Sequence, residues 1–465
     1  MKFNLKNTLL LIVLFAASSC QKFVDIKKSS AQNFIETAND CQLLLDNYDI
    51  FNVDYPIDGL ISSDDYYMDD YRYNSDVILL DDRALYTWQS NAIRSSATTW
   101  VNAYNKIYHC NLVLESVETL KGKEAVSVLN NLRGTALFLR AYSLWNLAQL
   151  YAAPYSSANA KEAGLPVHLV SDINDVPGRG TVQQTYDAIV KDLEESVQLM
   201  PVSSSIASRP NKVAALAMLA RVYLSMGDYA NSSKAATAAL ELKSDLIDYS
   251  TLEVGTLTPF RRFNKEVIFH SIGYKQNSVL EPGYGDQDQA LIPLDLINSY
   301  QPGDLRKEIL FKENTDVPVP TGTFRFTGNY ESAAGSSALF NGLAVDELYL
   351  TRAECYARTG NLSGALGDLN TLLKSRWNAD LFQEQAATTA DGALDLIIQE
   401  RRKELVMRGT RWTDLRRLNM EPRFAKTLSR TVNAVIYTLP ANDKRYTLLI
   451  PQEVITYSAL SQNSR

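Results

Sequence analysis

The sequence predicts a mainly α-helical protein, a superhelix of stacked helical hairpins supporting a loop-rich lobe with a few short β-strands. Three observations lead there. Apolar residues recur at three- and four-residue spacing through most of the chain, the period of a helix with one buried face. Gly227 and Gly360 interrupt that rhythm inside two long segments, where a helix has to turn back. Two stretches, about 51–94 and 245–340, lose the rhythm: the first is rich in Asp and Tyr, the second in Gly, Pro, Asn and Asp.

The chain opens MKFNLKNTLLLIVLFAASSCQKF. Its uncharged apolar run, Leu9 to Ala17, is nine residues long, well short of the roughly 20 a membrane-spanning helix requires. Lys2 and Lys6 before it and Ala17, Ser18 and Ser19 behind it have the layout of an export signal spanning residues 1–19. Cys20 then becomes the mature N-terminus and the expected site of a lipid anchor, which is stable once two or more acyl chains are attached.

Helices follow at about 30–50, 95–240 and 341–420. TTWVNAYNKIYHCNLVLESVETL places Trp100, Tyr104, Ile107, Leu114 and Val117 on one stripe, and LRGTALFLRAYSLWNLAQLYAAPY does the same before Pro154 ends it. TYDAIVKDLEESVQLM reads as the returning helix. In KVAALAMLARVYLSMGDYANSSKAATAAL, Leu216, Leu219, Ala220 and Tyr223 lie at i, i+3, i+4 and i+7, and Tyr229 starts a second helix past Gly227. DELYLTRAECYARTGNLSGALGDLNTLLKSRW repeats the plan, with Ala353 where the first hairpin has Ala220. These are tetratricopeptide-like spacings, small residues allowing close helix approach. Short strands are expected at EVIFHSI and TFRFTG inside the second insert. A C-terminal segment, 421–465, closes the chain.

A net charge of −7 and a pI near 5.3 lack the basic surface that phosphate backbones demand, which argues against nucleic acid as a partner. Cys41, Cys110 and Cys355 are widely spaced and form neither a disulfide framework nor a zinc pattern. His109, His168 and His270 have no metal-ligand spacing to one another or to acids, and no cofactor motif is present. The neighbouring acids Asp64 and Asp65, Asp69 and Asp70, and Asp81 and Asp82 are candidate glycosidase carboxylates, and 64–70 a candidate calcium loop. Solvated loop acids explain them more simply, so no catalytic residue is assigned. Tyr, at 25 residues against 15 Phe, is the strongest compositional bias, and its apolar face with a polar tip suits a partly wet binding surface.

Late in the chain, QERRKELVMRGTRWTDLRRLN carries Glu400, Arg401, Glu404, Arg411 and Asp414. Helical spacing predicts ion pairs from Glu404 to Arg408 and around the turn at Gly409 to Arg411 and Asp414, a polar network that fixes the packing of the last helices. The segment resembles the E-R-x-x-E-L-x-x-E-G-x-R-x-x-D-L signature of the SusD-like (RagB/SusD) family, with Arg408 in place of a Glu. LRGTALFLRAYSLWNLAQLYAAPY is similar to that family's R-A-x-x-Y-x-x-L-x-x-x-Y-G-x-x-P helix, TTWVNAYNKIYHCNLVLE to its W-x-x-x-Y-x-x-I-x-x-x-N segment, and LLIPQEVI to its I-P-x-x-E ending.

The resemblance implies one SusD-like domain over 20–465 and a non-enzymatic lipoprotein of the outer membrane. Such a protein binds oligosaccharides, or in some members peptides, and hands them to a SusC-like TonB-dependent transporter. A tetratricopeptide scaffold for outer-membrane assembly is the alternative from another class. A sugar presents C–H faces and many hydroxyls, so its site needs aromatic platforms beside hydrogen-bonding partners. DDYYMDDYRYNSD supplies both: Tyr66, Tyr67, Tyr71 and Tyr73 with Asp65, Arg72 and Asn74. Trp88, Tyr284, Phe324 and Tyr330 are the expected complement, packing against the scaffold being the alternative for each. Trp100, Trp145, Trp377 and Trp412 are expected in the core.

Overall fold

The computed structural model describes residues 35–274, 278–280, 290–315, 321–332 and 338–465. The export signal, Cys20 and Tyr284 lie outside the described residues. Short helices come first: α1 (Ala38–Leu45), α2 (Tyr48–Phe51), α3 (Asp58–Ser62), α4 (Asp70–Tyr73) and α5 (Leu80–Tyr86). The long ones follow: α6 (Thr98–Thr119), α7 (Val126–Tyr151), α8 (Val182–Leu199), α9 (Lys212–Met226) and α10 (Tyr229–Leu242). After α11 (Leu294–Ile297) and α12 (Arg306–Leu310) come α13 (Val345–Arg358), α14 (Leu362–Lys374), α15 (Ala390–Glu404), α16 (Arg411–Leu418) and α17 (Gln452–Tyr457).

Each long helix packs on its neighbours in the stack: α6 on α7, α7 on α8, α8 on α9, α9 on α10, α10 on α13, and α13 on both α14 and α15. The hairpin reading of 212–242 and 345–374 therefore holds. Gly227 and Gly360 adopt φ of +74° and +83°, a left-handed geometry that only glycine takes without strain. Asp228 and Asn361 then cap the returning helices, accepting from the Asn231 and Gly364 amides at 3.1 and 2.9 Å. Ala220 and Ala353 are fully buried, and Ser232 of α10 donates to the Ala220 carbonyl at 2.8 Å across the close contact.

Strands are few and short: β1 (Val267–Phe269), β2 (Phe311–Glu313), β3 (Phe324–Phe326), β4 (Leu343–Ala344), β5 (Leu428–Val432) and β6 (Val435–Leu439). They pair antiparallel as β1 with β4, β2 with β3, and β5 with β6. β1 and β3 fall where EVIFHSI and TFRFTG predict them. The β5–β6 hairpin is an addition, turning through Asn433 and Ala434, both with positive φ. The first insert differs from the expected loop in holding α3, α4 and α5, each too short for a helical period to register in sequence. Trp100, Trp145 and Trp412 are buried as expected, whereas Trp377 is only half-buried. No helix among the described residues is long and apolar enough to cross a membrane.

Candidate functional site

The late motif forms a buried polar network, but its pairs run across the fold. Glu404 accepts from Arg376 Nε at 2.7 Å and from Arg306 Nη1 at 3.1 Å, and Glu400 takes Arg306 Nη2 at 2.5 Å. Arg376 also reaches Glu266, at 2.9 Å. The expected local pairs are absent. Arg408 bonds Asp346 at 3.0 Å, and Arg411 bonds Asp64 at 2.6 and 2.9 Å. Helical spacing fails there because α15 stops at Glu404 and the backbone turns through positive φ at Met407 and Gly409.

Asp414 receives Arg401 Nε and Arg417 Nε, each at 2.8 Å. Burial opposes its ionisation, but the two guanidiniums outweigh burial and hold the carboxyl down to about 2. A carboxyl depressed in the folded state contributes stability above its unfolded value near 3.9, and loses it as pH falls towards the folded value. The acid limb of unfolding between about pH 4 and 2 is therefore expected to flatten in Asp414→Asn, as read by circular dichroism across that range.

The two acids of the first insert are similarly committed. Asp64 holds Arg411 and Lys426, the latter at 2.8 Å, and Asp65 is fully buried, accepting from Arg402 and from the Met407 amide at 3.0 Å. Burial works against the Asp64 charge, yet Arg411 and Arg402 keep its carboxyl well below the usual range. Asp69 bonds Arg72 at 2.7 Å, and Asp70 accepts from the Asn433 amide at 2.7 Å. Oxygens engaged in this way are not arranged as a calcium loop or as an acid–base pair.

Several aromatic platforms expected to meet a ligand instead meet the protein's own arginines. Arg430 of β5 lies 3.7 Å from the Tyr86 ring centroid, 4.5 Å from Trp88 and 5.4 Å from Tyr66, while its Nη groups donate to the Tyr86 and Ser63 carbonyls. Arg408 lies 4.4 Å from the Tyr330 ring. Tyr66, Tyr73, Trp88 and Tyr330 are accordingly buried, as are Asp65 and Arg72, and their rings offer no open face to a ligand.

Tyr67, Tyr71, Asn74 and Phe324 keep solvent exposure, and Tyr71 is 69% exposed. Three chain segments converge around the first three of these. Tyr67 and Leu291 exchange backbone hydrogen bonds of 2.7 and 2.9 Å, joining the first insert to the second. The Leu79 amide donates to Ser278 Oγ at 3.1 Å, and that hydroxyl donates to Asp82 at 2.5 Å. The side-chain amides of Asn74 and Asn433 bond reciprocally at 2.7 and 3.1 Å, adding the β5–β6 turn. Asp70, Asn74 and Asn433 are joined by these bonds around Tyr71, and Tyr71, Leu79, Leu80 and Ile436 on the converging segments are exposed. Sequence reading missed Leu79, Leu80, Asn433 and Ile436. The available signal was the Asn433-Ala434 dipeptide between two alternating runs, a weaker hairpin mark than Asn-Gly.

Comparisons with known proteins agree on the fold. A family model described as "Starch-binding associating with outer membrane" matches residues 22–224, and one described as "SusD family" matches 345–456. SusD-like protein P2 of Formosa agariphila is 23% identical over 369 residues, covering 69% of this chain and 71% of the relative. A SusD superfamily crystal structure from Bacteroides thetaiotaomicron superposes with a TM-score of 0.71 at 23% identity, covering 92% of this chain and all of that one. A laminarin-binding SusD-like protein superposes with a TM-score of 0.66 at 16% identity, covering 92% and 98%.

Proposed function

Because the chain belongs to the SusD family, we propose that it is a non-catalytic binder of oligosaccharides, held at the outer membrane by a lipid on Cys20 and delivering its ligand to a SusC-like TonB-dependent transporter. The observation that carries this reading is the three-segment surface around Tyr71: an exposed ring beside Asp70, Asn74 and Asn433, as a sugar with one C–H face and a rim of hydroxyls requires. The laminarin-binding relative supports a glycan as the ligand class. Asp64, Asp65, Asp69 and Asp70 are held in hydrogen bonds and ion pairs, which favours binding without bond cleavage. Anchoring raises the effective concentration of binder beside a transporter, so modest affinity suffices.

The test is calorimetric titration of a soluble form lacking residues 1–20 against a panel of oligosaccharides, laminarin fragments included. Tyr71→Ala is expected to weaken the best ligand by about 1–3 kcal/mol, roughly 5- to 150-fold, with the melting temperature unchanged because Tyr71 is exposed. Unaltered affinity in that variant removes the surface from consideration, and binding of peptides with no binding of sugars reassigns the ligand.

A further inference from the structure

The β5–β6 ribbon leaves backbone groups unused. Its register pairs Val432 with Val435 across the two-residue turn at Asn433 and Ala434, then Thr431 with Ile436, Arg430 with Tyr437 and Ser429 with Thr438. A two-residue turn makes the pair beside it a hydrogen-bonded one, and antiparallel pairs alternate from there. The N–H and C=O groups of Ile436 and Thr438 therefore point away from β5. Among the described residues none of these four groups has a hydrogen-bond partner.

β6 is the outer strand of the ribbon. In β5, Leu428, Arg430 and Val432 are buried, and Arg430 fastens that strand to the first insert through the Tyr86 and Ser63 carbonyls. In β6 only Leu439 is buried, Tyr437 is half-buried, and Val435, Ile436 and Thr438 are exposed. An open edge of this kind is a template for a further strand, and proteins ordinarily block it with lysine, proline or an inward charge. Here nothing blocks it: residues 435–439, VIYTL, contain no charge and no proline.

The surroundings select the partner. Asp70 accepts from the Asn433 amide at the turn, and Asp76 lies two residues beyond Asn74, whose side chain is bonded to Asn433. Both acids are exposed, and neither is ion-paired among the described residues. Acids placed so attract a basic chain. A second copy of this protein brings the same acids and the same net charge of −7, which opposes pairing of two β6 edges.

We propose that the free edge of β6 receives an extended strand from a partner protein, paired through the backbone of Ile436 and Thr438 and carrying a basic residue that meets Asp70 and Asp76. A strand laid along β6 reaches the turn at Asn433, so the partner comes to lie beside the Tyr71 surface. The strand site stands on backbone geometry and exposure, while its place beside a bound glycan rests on the glycan-binding reading.

Main-chain bonds supply the affinity in strand addition, so a generic strand is an adequate probe. The full chain in detergent is titrated with the capped peptide Lys-Thr-Val-Thr-Val-Thr-Lys, with the same peptide N-methylated on its Val and Thr amides, and with a version ended in Gln. The unmodified peptide is expected to bind and to slow amide exchange across 435–439, methylation to weaken it at least about tenfold, and Gln ends to weaken it and remove its salt dependence. Thr438→Pro deletes an N–H that the fold does not use, at an edge position where proline is tolerated. Its melting temperature and neutral-glycan binding should match the parent while peptide binding is lost, and Thr438→Val, which keeps the N–H, should bind the peptide normally. No binding of the unmodified peptide overturns the site. Binding that survives methylation or Thr438→Pro overturns strand pairing, and equal binding of the Gln-ended peptide overturns the basic partner. A particle mass that doubles with protein concentration makes a second copy the occupant instead. A protein that binds the peptide but no sugar keeps the strand site and loses the Tyr71 reading.

Discussion

Glu404→Gln is expected to lower the unfolding free energy by about 3–5 kcal/mol, seen as a fall in the urea midpoint. Its carboxylate accepts from both Arg306 and Arg376, two guanidiniums with fully buried side chains. Neutralising it removes one anion from two buried cations at once. Asp304, Glu400 and Glu266 remain, but each is already bonded within the same network. The control is Asp391→Asn, whose exposed pair with Arg423 should be worth less than about 1 kcal/mol. Equal effects in the two variants would show that the network holds nothing in place.

Arg430→Leu comes second, at about 3 kcal/mol from lost ring contacts and from carbonyls left without a donor. It carries a functional consequence too. Arg430 joins β5 to Ser63, Tyr66, Tyr86 and Trp88 of the first insert, and the turn after β5 supplies Asn433 to the Tyr71 surface. Glycan affinity should therefore fall along with the melting temperature, unlike in Tyr71→Ala. Retained affinity in a folded Arg430→Leu protein would show that the hairpin does not shape that surface.

These two variants also mark where sequence reading stops. Hairpins at 212–242 and 345–374 were legible because a helical stripe is a local pattern closed by a local turn at Gly227 and Gly360. Composition marks the aromatic insert. It could not tell Tyr66 and Trp88, which face Arg430, from Tyr71, which faces solvent, because the arginine that fills the box lies over 300 residues away in sequence. The same limit explains the ion pairs. Spacing on a helix suggests Arg408 for Glu404 and Asp414 for Arg411, while the actual partners of the two arginines, Asp346 and Asp64, are fixed by tertiary packing.

The reach of those pairs constrains how the chain can fold. Asp64 and Arg411 are 347 residues apart, and Asp65 and Arg402 are 337 apart. Until the last helices exist, Asp64 and Asp65 lack the arginines that hold them, whereas Asp69 already has Arg72 within the same insert. Contacts that span so much sequence slow folding and prolong the life of partly ordered species. A chain cut short after α14 should keep its stacked hairpins yet leave residues 51–94 open to protease, so the lobe is the last part of the molecule to form.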